Sequence, residues 1–407
     1  MLQALTTLQD VQGMYDWFTS MRNTQPVWLD TKSNCWHVFR YEEVLRVTTD
    51  STVFSSEQHT SQLQSHDEDA NQMGNLATMD PPHHRQYRQL ISSAFSAHAL
   101  APLSEWIRTM TQDLLAHVQP TGQMDLIADL ASPLAATIIV GILGLPAADH
   151  PRFKRWADAL FAQGASDEAL FNAQGQGRAG DFPSANRALE EMQTYFEHLL
   201  VTRRLQPRKD LLSALLAASD EGKPLSQQAL VNFCTLLLLA GHGTTTALLG
   251  QAILCLEAHP AALRQLRAHP HLFPKAIEEV LRFASPVWRV LRLTRSAVAL
   301  AGVTLPADAI VFAWLASANR DERQFQCPES FDLRRHPNHH LAFGHGIHFC
   351  LGAPLARLQA SVALPLILTR LPDLRVVRDP PLELLGSHIL FGVKRLPVTF
   401  AIPSSGS

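Results

Sequence analysis

The stretch Phe343-Gly344-His345-Gly346-Ile347-His348-Phe349-Cys350-Leu351-Gly352 decides how the rest of the chain is interpreted. It combines a cysteine, two histidines and three glycines directly before an apolar run, 353–368, whose pattern predicts a helix. A cysteine at the start of a helix lies near the positive end of the helix dipole, which favours the thiolate over the thiol. A thiolate is a metal ligand or a nucleophile, whereas a lone cysteine is most often a buried structural residue.

The bulk composition predicts a globular protein with a large core. The chain has 407 residues, of which 46% are hydrophobic and 17% charged, and its formal net charge is -3. This balance gives no indication of binding to nucleic acid or to an anionic membrane surface. The five cysteines are an odd number without a repeated spacing, so we expect no disulfide framework and a reducing cytoplasm.

Two features bear on membrane targeting. The N-terminus, residues 1–6, lacks a basic segment followed by an apolar one, so we expect no signal peptide. Residues 225–256 carry no Asp, Glu, Lys or Arg and are long enough to span a bilayer. Because Gly241 to Thr246 interrupt this run with small and polar residues, we interpret it as a helix buried in a protein core, with a polar break at its centre. No membrane anchor is expected.

The rest of the chain indicates one mainly helical domain, 1–407, with a smaller β-rich region. Strands are expected after Pro286, and a hairpin turning near Gly392 is expected within 389–402. Polar residues at 57–78 predict a long loop, and 164–183 predict a mobile helix-loop-helix. The remaining helical patterns, with Pro81 and Pro82 in the first turn of the third, cover residues 15–22, 41–48, 79 onward, 103–118, 126–145, 188–204, 210–218 and 274–283.

His84 and Arg88 lie four residues apart on the helix that follows the two prolines, and therefore on one face. Two cations in this arrangement repel each other unless an anion lies between them. Taken alone, the pair is more often a solvated basic face than a binding site.

Cys350 leaves three chemical interpretations open besides a structural one. A zinc site needs about four ligands in paired spacings, and Cys327 is too isolated to supply them with Cys350. A cysteine hydrolase needs a base, for which His348 is available. A single axial thiolate to a haem iron needs a glycine-rich turn, small residues beside the porphyrin and cations for two propionates. Gly344, Gly346, Gly352 and His348 match these needs.

The stretch 343–352 resembles the haem-binding signature of the cytochrome P-450 family, Phe-Gly-x-Gly-x-His-x-Cys-x-Gly, at every specified position. Other segments resemble family landmarks in the right order: 80–88, 240–245 and the Glu279-x-x-Arg282 pair. The resemblance implies a mainly α fold with a smaller β-rich region (α+β). It places haem b between the long central helix and the cysteine-bearing loop.

The resemblance also implies roles for individual residues. Cys350 would be the axial iron ligand, and Thr244 with Thr245 would relay protons during oxygen activation. The Glu279–Arg282 pair would support the core on the haem side, whereas in isolation it would be a surface pair of small energetic effect. The expected propionate and haem contacts are His84, Arg88, Ala240, Gly241, Arg292, Phe343, His348 and Gly352.

Two positions depart from the family pattern. Gly243 stands where relatives usually carry Asp or Glu before the threonine, so ordered water, Thr245, His242 or a substrate hydroxyl is expected to take over proton delivery. Ser330 stands where many relatives carry Arg or His, which leaves the third member of the Glu279–Arg282 network open, with Arg334 only a neighbour. Gly243 keeps two alternatives to ordinary oxygen activation: a peroxide-driven haem-thiolate enzyme and a non-catalytic haem sensor.

By resemblance, the expected activity is hydroxylation or epoxidation of a mainly hydrophobic small molecule. Electrons from NAD(P)H would arrive through a separate ferredoxin or flavodoxin and its reductase. Arg289 is expected to point away from the haem. Secondary-metabolite, terpenoid, steroid and fatty-acid skeletons all fit a pocket formed by the segments 57–78 and 160–182 together with Leu237, Trp288, Val290, Ile389, Leu390 and Phe391.

Overall fold

The fold was analysed in a computed structural model, which describes residues 8–57, 75–161, 183–208, 210–217, 219–220, 223–385, 387 and 389–402. Most of the expected loop at 57–78 and of the expected helix-loop-helix at 164–183 lies outside the described residues. Helices dominate the described part: α1 Leu8–Thr24, α2 Tyr41–Thr49, α3 His83–Ser92, α4 Ala97–Leu100, α5 Leu103–Val118, α6 Ser132–Ile142, α7 His150–Phe161, α8 Pro183–Leu205, α9 Leu211–Ala217, α10 Gln227–Ala258, α11 Pro260–Ala268, α12 Phe273–Phe283, α13 Leu315–Ala318 and α14 Ala353–Arg370.

The strands are short and form small sheets. Their bounds are β1 Val27–Asp30, β2 Cys35–Val38, β3 Phe54–Ser55, β4 Gln123–Asp125, β5 Ser219–Asp220, β6 Lys223–Pro224, β7 Arg289–Thr294, β8 Val298–Leu300, β9 Val303–Leu305, β10 Ile310–Trp314, β11 Arg375–Val376 and β12 Pro397–Thr399. The largest sheet has the order β1-β2-β10-β7-β3, in which β10 runs parallel to β2 and antiparallel to β7. The predicted α+β class with strands after Pro286 is therefore confirmed.

Helix α10 is continuous over 32 residues, about 48 Å at 1.5 Å per residue. Its first turn is capped by the Ser226 hydroxyl, which accepts from the Ala229 N–H at 3.1 Å. The predicted polar break is wrong, because Gly241 to Thr246 remain helical. Among the described residues, α10 alone has the length and composition of a membrane span, but 72% of its apolar window is buried inside the protein.

Two predicted elements, the helix at 126–145 and the hairpin within 389–402, differ from the observed structure. The segment 126–145 begins as a π-helix, Leu126–Ala131, before α6, because Pro133 has no N–H to continue the ordinary ladder. The expected hairpin within 389–402 does not form. Instead Leu384 pairs with Val393, and the Leu385 N–H donates to the Gly392 carbonyl at 3.0 Å. The final strand, β12, pairs with β4 and β11.

Two clusters of buried side chains make up the core. The larger one joins α10 to α5, α6, α8, α12 and α14, and the smaller one lies around α2, β7 and β10. Helix α10 packs most extensively on α6, and α14 packs on α5 and α12. This arrangement places the start of α14, with Cys350 before it, opposite the middle of α10.

Candidate active site

The loop 343–350, called here the cysteine hairpin, adopts a backbone geometry that its glycines permit. Gly344 and Gly346 have φ of +67° and +70°, in the left-handed region that favours glycine. The Cys350 N–H donates to the Phe343 carbonyl at 2.9 Å, which joins the two ends of the hairpin. A Cβ at Gly346 would lie 2.7 Å from the Thr48 carbonyl oxygen. The backbone of α2 is therefore a second reason why only glycine fits at this position.

Cys350 faces an internal cavity. Its side chain is exposed to that cavity while protein surrounds it, and burial raises the pKa of its thiol. The N–H groups of Gly352 and Ala353 and the charge of Arg88 act in the opposite direction but do not outweigh burial. The helix start therefore favours the thiolate, as expected, but burial opposes it more strongly. A bound metal ion would deprotonate the thiol directly.

The cavity has a volume of ≈ 330 Å³ and lies between the cysteine hairpin and α10. Its walls are largely apolar, and no Asp, Glu or Lys of the described residues lines it. Ten of the predicted site residues form part of its wall: Arg88, Ala240, Gly241, Thr244, Thr245, Arg292, Phe343, His348, Cys350 and Gly352.

Two buried basic groups, Arg292 in the cavity wall and His84 beside His348, have no anionic partner among the described residues. Arg292 is 6% exposed, donates to the Leu291 carbonyl at 2.7 Å, and forms no ion pair among the described residues. Burial lowers its pKa to about 10. The Nε2 atom of His84 is buried and has no hydrogen-bond partner in the described structure, and burial followed by the charge of His348 lowers the pKa of His84 to about 4. Both groups fit an anion that the protein itself does not provide.

His348 is held in place by a small polar network. Its Nε2 lies 2.8 Å from the Ser56 hydroxyl and 3.8 Å from the Asp80 carboxylate, and its ring centroid lies 4.4 Å from that of His84. Asp80 in turn accepts from Arg295 at 2.7 Å. Sequence reasoning missed Ser56 and Arg295, which come from segments distant in the chain.

Arg88 connects α3 to the cysteine hairpin. Its Nη2 donates to the Phe349 carbonyl at 2.6 Å, beside Cys350, while its side chain also lines the cavity. The shared helix face predicted for His84 and Arg88 is therefore turned toward the site. A simple solvated basic face is excluded, because His84 is 2% exposed.

The α10 wall presents hydroxyl groups to the cavity. The Thr244 hydroxyl donates to the Ala240 carbonyl at 2.6 Å, and Thr245 also lines the wall. His242 turns the other way, with its Nε2 2.9 Å from the Ser132 hydroxyl. The hypothesis that His242 replaces the missing acid is not supported by this orientation.

The Glu279–Arg282 pair is fully buried, so the surface interpretation is wrong. Arg282 donates from Nη2 and Nε to the two carboxylate oxygens at 2.8 and 2.9 Å. Arg335 supplies the third member, with its Nε 3.1 Å from the nearer Glu279 oxygen. Ser330 contributes its carbonyl, which accepts from Arg282 and Arg335 at 3.0 Å each. A backbone acceptor carries no residue-type signal, which explains why the sequence left this network open.

Strand β7 lines the cavity in the expected alternation, whereas Trp288, the residue before the strand, does not. Val290 and Arg292 line it, but Trp288 is absent from the described wall and packs instead on Tyr15 and Phe391, at centroid distances of 5.6 and 4.7 Å. Arg289 points away as predicted, with its guanidinium 4.0 Å from the centroid of Phe312. Of the three predicted C-terminal pocket residues, Ile389 lines the cavity.

The donor set fits an iron porphyrin better than the other interpretations of Cys350. A single cysteine faces an apolar cavity, and uncompensated basic groups stand at its edge, where two propionates would be neutralised. Within the described ranges no group of three or more His, Cys, Asp or Glu is arranged to hold a metal ion. His348, the possible base of a hydrolase, directs its Nε2 toward Ser56.

Comparisons with known proteins agree with this geometry. The family model of cytochrome P450 matches residues 26–382. The erythromycin C-12 hydroxylase of Saccharopolyspora erythraea is 38% identical over 405 residues, covering 97% of this chain and 98% of that protein. The cyclomarin C epoxidase CymV of Salinispora arenicola is 37% identical over 377 residues, covering 92% and 93%. The structure of a mutant of P450 EryK in complex with erythromycin B has a TM-score of 0.87 at 36% identity, covering 99% of this chain and 100% of that chain.

Proposed function

This chain belongs to the cytochrome P450 family and is a haem-dependent monooxygenase, and from that premise we propose that it oxidises an uncharged, mainly hydrophobic secondary metabolite. The observation that carries the proposal is the cavity between Cys350 and α10, which is apolar and carries no described carboxylate. When bound, haem supplies the oxygen chemistry, and the protein binds, orients and handles protons.

Cys350 is the proposed axial ligand of the iron. Its N–H is fixed to the Phe343 carbonyl, and the left-handed turn at Gly344 and Gly346 presents the sulfur to the cavity. As a thiolate, Cys350 would hold the iron of a bound haem and would supply it with electron density. Phe343 and Gly352 flank the sulfur and would pack against the porphyrin face, with Ala240 and Gly241 on the opposite side.

His84, Arg88, Arg292 and His348 are the proposed partners of the two propionates. The unpartnered Nε2 of His84 and the buried guanidinium of Arg292 each gain an anionic partner in this arrangement. Charge-assisted hydrogen bonds of this kind are stronger than neutral ones, especially in a cavity of low dielectric constant.

Protons are proposed to reach the α10 side of this cavity without an acid between residues 225 and 256, since Glu257 near the end of α10 pairs with Arg378. Because the Thr244 proton is held by the Ala240 carbonyl, the lone pairs of Thr244 Oγ1 are free to accept a hydrogen bond from water or from a substrate hydroxyl in the cavity. Thr245 offers a second hydroxyl on the same wall. Gly243→Glu would supply the missing carboxylate. We expect more product per electron consumed in this variant, and unchanged coupling would contradict the assigned proton route.

The substrate class is supported by the relatives as well as by the cavity. Two of them are named for oxidising erythromycin and cyclomarin C. The wall of this cavity offers Phe233, Leu237, Val287, Val290 and Ile389 as apolar contacts. Electrons originating from NAD(P)H are proposed to arrive through a separate ferredoxin or flavodoxin with its reductase.

A carbon monoxide difference spectrum of the reduced protein tests the assignment of the ligand. The parent protein should give the thiolate signature, and Cys350→Ala should lose it, whereas Cys327→Ala, at another exposed cysteine, should keep it. A thiolate signature that survives in Cys350→Ala would overturn the assignment. Oxygen-isotope labelling of a product found in a ligand screen then identifies the source of the inserted atom.

Peroxide-driven chemistry is the second candidate, and Gly243 is the observation that favours it. A site without a distal acid gains less from molecular oxygen and external electrons than from peroxide, which already carries the required electrons and protons. Turnover with hydrogen peroxide that exceeds turnover with reduced ferredoxin would favour this candidate over the first.

A further inference from the structure

Glu278 lies directly before the buried Glu279 but makes different contacts. It is a residue of α12, and its carboxylate accepts from Arg357 Nε at 2.7 Å and from Arg357 Nη2 at 2.8 Å. The Nε2 of His340 lies 3.1 Å from the same carboxylate. These contacts hold the pKa of Glu278 at about 2 although burial opposes ionisation.

Arg357 connects this carboxylate to the cysteine hairpin. Its guanidinium carbon lies 4.5 Å from the centroid of the Phe343 ring, within the range of a cation–π contact. Phe343 lines the cavity, and its carbonyl accepts the Cys350 N–H at 2.9 Å. Ala356, the residue before Arg357, also lines the cavity. A positive charge therefore stands one side chain away from the cavity wall that bears the sulfur.

The geometry points to a tuning role for this ion pair: Glu278 is a positioning residue that fixes Arg357 over Phe343 and offsets its charge, so that the reduction potential of a haem iron bound to Cys350 depends on the balance of the two charges. This inference rests on the proposed function, since it needs haem on Cys350. One-electron reduction adds negative charge to the iron–thiolate unit, so a nearby cation favours the reduced state and a nearby anion opposes it. With both partners present, the fields largely cancel.

The test is the midpoint potential of the purified haem protein at an electrode, measured without any redox partner. Glu278→Gln leaves Arg357 uncompensated, so the potential should shift to a more positive value. Arg357→Gln leaves Glu278 uncompensated, so the potential should shift to a more negative value. The double variant removes both charges and should return close to the parent. Solvent screens part of each field because Arg357 and Glu278 side chains are 35% and 30% exposed.

Two further variants separate the charge from the scaffold. Arg357→Lys keeps the charge but loses the two-pronged geometry, so it should stay closer to the parent than Arg357→Gln. Glu257→Gln is the matched control, because Glu257 forms an equivalent two-pronged pair with Arg378, at 3.0 and 2.7 Å, and it is Arg357, not Arg378, that lies over the cavity residue Phe343. The same change of charge there should leave the potential unchanged.

A merely structural role predicts another pattern. If Glu278→Gln and Arg357→Gln shift the potential in the same direction, or if the double variant is the most perturbed, the inference is overturned. A carbon monoxide difference spectrum of each variant precedes the electrode measurement. Loss of the thiolate signature in the parent would refute the proposed function, whereas intact signatures with no opposite shifts would refute the tuning role alone.

Discussion

Gly344 and Gly346 require glycine for different reasons. Both adopt positive φ, but a Cβ at Gly344 would meet its nearest neighbour, the His348 carbonyl, at an ordinary 3.7 Å. A Cβ at Gly346 would lie 2.7 Å from the Thr48 carbonyl and 2.9 Å from the Thr49 Cα. The neighbour at Gly346 is backbone, which yields less readily than a side chain.

This difference predicts unequal effects of two alanine substitutions. Gly344→Ala should lower the free energy of unfolding by about 1–2 kcal/mol, the cost of a left-handed non-glycine residue. Gly346→Ala should cost more and should also release haem, because the hairpin must move away from α2. Urea unfolding and haem retention on gel filtration measure the two effects. Equal losses in both variants would contradict the proposed role of the Thr48 contact.

His37 is a buried histidine whose surroundings keep it neutral. It is 1% exposed, and its Nδ1 accepts the indole N–H of Trp314 at 3.0 Å. Burial first, and then the charge of Arg289, lower its pKa to about 4. The unfolded chain therefore binds a proton near the ordinary pKa of 6.5 that the folded protein still excludes.

The sign of the pH dependence follows from this difference. The stabilisation is complete above about pH 6.5 and is lost as the pH falls toward about 4, at up to about 1.4 kcal/mol per pH unit for this one group. His37→Gln keeps an acceptor for Trp314 and should flatten the pH dependence of urea unfolding between about pH 4 and 6.5. An identical slope in the variant would show that His37 does not contribute.

Helix α12 shows what one face of a short element can carry. It buries Glu279 and Arg282 completely, at 0% and 1% exposure, and thereby ties the irregular segment before the cysteine hairpin to the core. Asp332 and Arg335 both reach Glu279, through a backbone N–H at 2.9 Å and a guanidinium at 3.1 Å. A buried carboxylate with this many donors is costly to leave half satisfied.

Glu279→Gln is therefore expected to destabilise the protein strongly. Removing one partner of a buried ion pair typically costs about 3–5 kcal/mol, because the remaining charges stay buried without compensation. Glu257→Gln breaks a partly exposed pair and should cost about 1 kcal/mol or less. Chemical unfolding of both variants gives the comparison, and similar losses would show that burial of the network adds nothing.

Predictability from sequence also varies between elements. Helix α5 was predicted at its observed bounds, 103–118, because its apolar periodicity is uninterrupted. The polar residues at the centre of α10 suggested a break, but the hydroxyls of Thr244 and Thr246 bond to carbonyls one turn earlier in the same helix, which stays continuous. The packing of Trp288, just before β7, and the pairing of residue 392 with 385 depend on partners elsewhere in the fold. Local patterns do not encode such partners.

The site followed the same rule. Cys350 lies in the dense motif 343–352, and Thr244 and Thr245 lie in the motif 240–245. All three residues line one cavity. Arg335 and Ser56 were missed because both enter the site through long-range contacts. Arg335 contacts Glu279, more than fifty residues earlier in the chain, and Ser56 contacts His348, almost three hundred residues later. Such contacts could be found only from the fold or from covariation between positions.

The cavity joins the two core clusters, which gives the whole molecule a ligand-dependent stability. Leu315 of the smaller cluster and Leu355 of the larger one both line it. Removal of haem should therefore lower the melting temperature and broaden the transition across both clusters. A cofactor present at a hundred times its dissociation constant contributes about 2.7 kcal/mol to the folded state.

Calorimetry of the protein before and after extraction of haem measures this contribution, with reconstitution as the control. Tryptophan fluorescence reports mainly on the larger cluster, which contains Trp156, Trp288 and Trp314, and far-ultraviolet circular dichroism reports on the helices. Coincident transitions that do not change when haem is removed would contradict a stabilising role for the cavity.

The long apolar stretch of α10 also matters while the chain is being made. Residues 227–258 leave the ribosome well before α14 and before β12. Strand β4 is made earlier still, and its partner β12 is made only near the end of synthesis. Until those last segments arrive, an apolar helix of membrane-spanning length lacks part of its final covering, and nascent hydrophobic surface of this kind invites aggregation. Synthesis of this protein should therefore depend on chaperones that hold the emerging chain until its C-terminal third is available.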